Sequence, residues 1–189
     1  MNNVTAVGID LSNEVMHFFG VNHRNTEVFR KEVPRGRVLE TILSLDKSCE
    51  IFMEACGGSH YWSREFAAQG YMAKQVPAQH VAPFRGKGHK NDFRDAQAVL
   101  EAGRRPGMKY VTPKSVTQQE RQILHRIRTR INKERVALAN ETRGFLAEFG
   151  VILRKGHKAL DDYINYEAGK DSRITDAFRE RLFQLGAEI

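Results

Sequence analysis

Apolar positions along the chain follow two different periods, and the switches between them mark its elements. Val4 to Ile9 is a short, β-branched run that stops at Asp10 and predicts a buried strand. Val15 to Val21 predicts a second strand, the polar stretch Asn22 to Thr26 a turn, and the alternating Glu27 to Val33 a third strand. Three strands with such short connections read as an antiparallel meander. Pro34 then opens a segment in which Val38, Leu39, Ile42, Leu43 and Leu45 have helical spacing. Glu50 to Ala55 predicts a fourth strand, broken by Gly57-Gly58. Ser59 is placed to cap a helix running to about Ala68, and Gly70 ends it. Tyr71 to Val76 predicts a fifth strand, and Asn91 or Asp92 starts a helix that runs to about Gly103. This order predicts an α/β fold, a mixed sheet with helices packed on it.

The pattern changes after Pro106-Gly107. Between Ser115 and Phe149 there is no Pro, and Gly144 is the only Gly. Ile123, Ile127, Ile131, Leu138, Phe145 and Phe149 recur at four- and seven-residue steps, which predicts one long helix with a narrow, coiled-coil-like apolar seam. Its other faces carry Arg121, Arg126, Arg128, Arg130, Lys133, Arg135 and Arg143. Gly150 is a natural stop, and the tail from about Lys155 reads as helical. The expected division is therefore an α/β domain over 1–112 and a helical region over 113–189.

Composition changes this picture in one respect. Among 189 residues, 30 Lys+Arg face 23 Asp+Glu, for a net charge of +7, which favours a polyanionic partner, most commonly nucleic acid. An inert basic surface would give the same number. Cys49 and Cys56 are the only cysteines and form no zinc pattern, so both are expected as small buried side chains in a reducing compartment. No signal-peptide pattern opens the chain and no apolar run reaches the roughly 20 residues of a membrane span. A cytoplasmic protein is expected.

The candidate chemistry lies in four carboxylates. Asp10 closes the first strand and Glu54 lies near the end of the fourth. Asp92 and Asp95 are three apart at a helix start and so share a face. Neighbouring first and fourth strands, with the helix laid across their ends, would bring all four together. Such a group repels itself unless cations compensate, and hard oxygen donors suit magnesium. The nearby Arg85, Lys87, Lys90 and Arg94 would hold backbone phosphates, and Arg121, Arg128 and Arg135 on the long helix could add contacts. Taken singly, each acidic residue has a plain reading: Asp10 as a turn residue, Asp92 as an N-cap, Asp95 as a first-turn charge. A carboxylate on a buried strand, as at Glu54, is rarer because unpaired burial is costly. His60, Tyr61 and Trp62 read as helix-start packing, and His17, His80 and His125 have no ligand spacing.

The segment Glu54 to Pro106, with its E-A-C-G-G-S-H-Y-W and N-D-F-R-D-A runs, resembles the DEDD transposases of the insertion-sequence one-ten family. Val7 to Ser12 (V-G-I-D-L-S), Lys109 to Gln119, Leu124 to Arg128 and Asn140 to Gly150 resemble the same branch, and pilin-gene invertases are similar there. The likeness covers about residues 4 to 155. It implies a RuvC-like, ribonuclease H fold followed by a coiled coil associated with oligomerisation. It places the family's four acidic residues on Asp10, Glu54, Asp92 and Asp95. It also implies magnesium (with manganese as a substitute), DNA strand exchange and, in some members, a bridge RNA that guides target choice. Family members continue into a second domain with an I-P-G-I-G-like motif and a nucleophilic serine. Neither occurs in these 189 residues, so the serine is expected from outside them, whether the chain is a natural truncation or an excised fragment.

Three functions stay open on these grounds. The first is the metal-binding part of a transposase or site-specific recombinase. The second is a magnesium-dependent, structure-selective nuclease. The third is a nucleic-acid-binding regulator that oligomerises without catalysis.

Overall fold

A computed structural model describes residues 3–85 and 92–188 and divides the chain into two compact units, Met1–Thr117 and Gln118–Ile189. In the first unit, β1 (Ala6–Asp10), β2 (Val15–Val21) and β3 (Glu27–Pro34) form the antiparallel meander, and a 3-10 turn leads into α1 (Val38–Leu43). The sequence then gives β4 (Glu50–Glu54), α2 (Ser59–Ala68), β5 (Ala73–Val76), α3 (Ala78–Val81) and α4 (Asp92–Gly103). The sheet order is β3-β2-β1-β4-β5, with β4 parallel to both β1 and β5. An antiparallel three-strand half joined to parallel strands in this order is the RuvC-like, ribonuclease H arrangement.

Strand parity assigns the two faces, because successive side chains point to opposite sides. Val7, Ile9, Met16, Phe18, Ile51 and Met53 join Val38, Ile42, Trp62 and Phe66 in one core, on the side of α1 and α2. Ala6, Phe19, Val21, Phe52 and Val76 join Ala96, Val99 and Leu100 of α4 in the other. Gly8 lets α4 lie against β1: a Cβ there would sit 2.1 Å from the Ala96 carbonyl oxygen and 2.9 Å from Leu100 Cβ. At the other end of the helix, a Cβ on Gly103 would fall 2.3 Å from the Phe52 ring.

Several boundaries differ from expectation for identifiable reasons. Ser59 does not cap α2. Gly58 takes the cap position in the left-handed region (φ +86°), while the Ser59 hydroxyl donates to the Cys56 carbonyl and bonds the Gln75 side chain. The fifth strand starts at Ala73, because Tyr71 turns inward and its hydroxyl donates to the Leu45 carbonyl at 2.8 Å. Cys49 is buried as expected, but Cys56 is exposed in the turn after β4. After α4, Val111 bridges to Gln75, and the Lys114 amide and carbonyl bond His60 and Arg64, so this stretch belongs to the first unit.

The long helix is present as α5 (Val116–Glu148), and it passes from the first unit into the second. In the second unit its last turns present Ala139, Thr142 and Leu146 to a small core. Val151, Leu160, Tyr163, Ile164 and Leu182 complete that core, drawn from α6 (His157–Asp162), the π-helical turn after it and α7 (Asp176–Glu188). Phe145, expected on the apolar seam, is exposed, and Leu146 beside it is the residue buried in this core. Gly150 ends the helix at φ +72°, with Val151 N–H donating to the Leu146 carbonyl. Phe149 stacks on Phe178 at 4.6 Å. No helix among the described residues is long and apolar enough to cross a membrane.

Candidate metal centre

The parity that builds the α4-side core also builds a charged site at its edge. Asp10 is the next residue after Ala6 and Gly8 on the α4 face of β1, and Glu54 follows Phe52 on the same face of β4. The first turn of α4 lies over these strand ends, because Ala96 and Leu100 one and two turns on are seated against Gly8. Asp92 and Asp95 therefore hang over Asp10. Asp10, Asp92 and Asp95 each offer an oxygen, and the three oxygens lie within 4.8 Å of one another.

Glu54 reaches the same region but stands outside that trio. Glu54 is buried, at 9% exposure, and its carboxylate accepts a hydrogen bond from the Arg85 guanidinium. Arg85 Nε lies 3.2 Å from Asp95 Oδ1, so one guanidinium spans both carboxylates. Arg85, expected to hold phosphate, pairs with these two carboxylates while its side chain stays 40% exposed. Arg94 is exposed on α4, and Arg121, Arg128 and Arg135 are exposed on α5 in the second unit. Lys87 and Lys90 lie outside the described residues.

The structure adds a residue that sequence spacing passed over. His17 pairs directly with Asp10 across the β1–β2 ladder, which puts it on the same face. Its Nε2 lies 3.9 Å from Asp92 Oδ2 and 3.7 Å from Glu32 Oε1, and its ring meets Phe93 edge-on. Its Nδ1 is buried without a hydrogen-bond partner. The signal was the hairpin register: with the four-residue connection Leu11 to Glu14 between β1 and β2, residues whose numbers sum to 27 face one another, as Asp10 and His17 do. His60 has a structural role, bonding Gln75 and Lys114, and Trp62 is buried.

Electrostatics mark the trio as strained. Burial, then the Asp95 and Asp92 carboxylates, push the Asp10 pKa up to about 6, with His17 opposing and Glu54 adding to the rise. The Cys56 thiol beside the site is also pushed up, by burial first and then by Glu54 and Asp10. A divalent ion would relieve this repulsion. Oxygens bound to one magnesium at about 2.1 Å lie roughly 3–4 Å apart, so the trio needs only a small contraction to share an ion. Hard, anionic donors without sulfur or a full histidine set fit magnesium or manganese.

A family model for transposases of the DEDD, IS110 type matches residues 7–150. The chain belongs to this family. Relatives within it include the "Probable family 20 transposase" of Pseudomonas aeruginosa, 41% identical over 158 residues, covering 83% of this chain and 46% of that one. The transposase for insertion sequence element IS1111A of Coxiella burnetii is 38% identical over 158 residues, or 84% of this chain and 43% of its own. The transposase for IS1328 of Yersinia enterocolitica is 37% identical over 156 residues, 82% and 46% respectively. The chain thus spans less than half the length of each of these relatives. Among the described residues, the acidic cluster at β1 and α4 suits the divalent metal that the DEDD family implies.

Proposed function

We propose that this chain is the metal-binding part of a DNA transposase or site-specific recombinase, with Asp10, Glu54, Asp92 and Asp95 as the ligands of magnesium at a DNA phosphodiester. The observation that carries the reading is the convergence of Asp10, Asp92 and Asp95, from β1 and α4, within 4.8 Å. Three carboxylates brought together from β1 and α4 gain nothing in stability by converging, since their mutual repulsion raises the cost of each. A cation accounts for the arrangement. When bound, such an ion supplies charge neutralisation and polarisation of a phosphoryl oxygen.

The chain's own residues do the rest. Asp92 and Asp95 are held by the seating of α4 on Gly8, and His17 buttresses Asp92 from β2. Arg94, with Lys87 and Lys90 before it and Arg121, Arg128 and Arg135 on α5, would meet backbone phosphates. Assembly would use the apolar seam of α5 as a coiled coil. A seryl nucleophile would come from a domain outside these residues, and a bridge RNA would specify the DNA; both rest on family resemblance alone.

The test has two arms. Calorimetric titration with manganese or magnesium is expected to show binding to the chain and its loss in Asp92→Asn. In the full-length transposase, Asp10→Asn or Asp92→Asn is expected to lower recombination by at least about 100-fold with the fold intact, the scale at which loss of a charge-stabilising group shows itself. Wild-type recombination by both variants would sink the reading.

A further inference from the structure

Glu54 and Asp10 stand on the same sheet face, on adjacent parallel strands, yet their carboxylates do not share the oxygen cluster. The difference is Arg85. It follows the 3-10 turn Ala82–Phe84, its amide donates to the Ala82 carbonyl at 3.2 Å, and its guanidinium bridges Glu54 and Asp95. A guanidinium stays charged at any working pH. It therefore supplies permanent compensation to a carboxylate that burial would otherwise leave costly.

We propose that Arg85 is a resident counter-cation that competes with the divalent ion for Glu54 and Asp95. This rests on the reading of the acidic cluster as a metal site. A guanidinium and a divalent ion on the same carboxylates repel each other, so full four-carboxylate ligation is favoured when Arg85 moves off. The geometry permits it. The Glu54 side chain is 11% exposed and fixed on its strand, whereas the Arg85 side chain is 40% exposed on a long stem and can swing into solvent. The site accordingly has two arrangements: Arg85 inward with three carboxylates clustered, and Arg85 outward with Glu54 released to join them. Metal affinity is lowered by the stability of the inward arrangement.

The experiment is a manganese titration by calorimetry on the whole chain at low ionic strength. Wild type is compared with Arg85→Gln, Asp92→Asn and Lys109→Gln, the last removing one charge from an exposed site beyond the opposite end of α4. Arg85→Gln is expected to bind manganese about five-fold more tightly than wild type, the scale of one partly exposed ion pair. Lys109→Gln should match wild type within about two-fold, because solvent screens distant charges. Unchanged or weaker binding by Arg85→Gln, with binding still lost in Asp92→Asn, overturns the role of Arg85 and leaves the metal site standing. Equal binding by all four proteins, or none by any, overturns the metal site and this inference with it. A second measurement needs no variant: saturating magnesium should shift the Arg85 Nε–H resonance of wild type, and an unmoved resonance overturns the proposal.

Discussion

Burial and the neighbouring Asp95 and Asp92 carboxylates hold the Asp10 pKa near 6 against an ordinary value of 3.8. The folded chain therefore keeps a proton, through that window, that the unfolded chain has released. Stability falls as pH rises from about 4 to 6, and the loss is complete above 6. Asp10→Asn is expected to raise the melting temperature of metal-free protein at pH 7.5 by about 4 °C. The gain should shrink toward pH 4. Manganese should reverse the ranking, stabilising wild type and leaving the variant unmoved. Thermal melts in chelator and in manganese check both arms, and a variant less stable than wild type in chelator at pH 7.5 would remove the electrostatic strain. At this scale much of the centre was legible. Asp10 and Glu54 at strand ends and the Asp92–Asp95 spacing are local patterns, and each local pattern carries its side-chain direction. What spacing could not carry was pairing across elements. His17 faces Asp10 only because of the hairpin register, and Arg85 meets Glu54 across a sequence separation of 31.

At the scale of elements, the centre depends on how closely α4 approaches β1. Asp92 and Asp95 reach Asp10 only while Ala96 and Leu100 rest on a strand residue without a side chain. Gly8→Ala places a methyl group 2.1 Å from the Ala96 carbonyl oxygen, and backbone on both sides must give. A cost of about 1–3 kcal/mol is expected from such overpacking. More tellingly, manganese binding should weaken with it, because the displaced helix carries two of the proposed ligands. A Gly8→Ala protein that melts lower but binds manganese as tightly as wild type would uncouple helix seating from the site. The elements themselves were readable where apolar runs are short and bounded by polar turns, as at Val15–Val21. They were less so where tertiary contacts set the ends. Tyr71 leaves the fifth strand for a hydrogen bond to Leu45, and Gly58 rather than Ser59 takes the cap because the hydroxyl of Ser59 is spent on Gln75 and Cys56.

For the molecule as a whole, the unsettled surface is the exposed length of α5. In the second unit, Ala139, Thr142 and Leu146 turn one face of its last turns into a local core. Before them, Ile123, Leu124, Ile127 and Ile131 stay exposed, each more than two-fifths so, between arginines. Single exposed apolar residues are ordinary on a protein surface, but four within nine positions of one helix form a stripe. Isolated helices of this kind gain little from propensity and hold their shape by packing an apolar face. A second copy of the same helix supplies such a face, and the flanking Arg130–Glu134 pair is of the sort that borders coiled-coil seams. We therefore expect a dimer or larger assembly by light scattering at micromolar concentration. Ile127→Asp, which places a charge in the middle of the stripe, should shift it to monomer. Because Ile127 makes no part of any of the three buried cores, the melting of the first unit and its manganese affinity should be unchanged. A monomeric wild type would leave the stripe for some other partner and remove self-association from the reading. An Ile127→Asp protein that stays assembled would move the interface elsewhere on the chain.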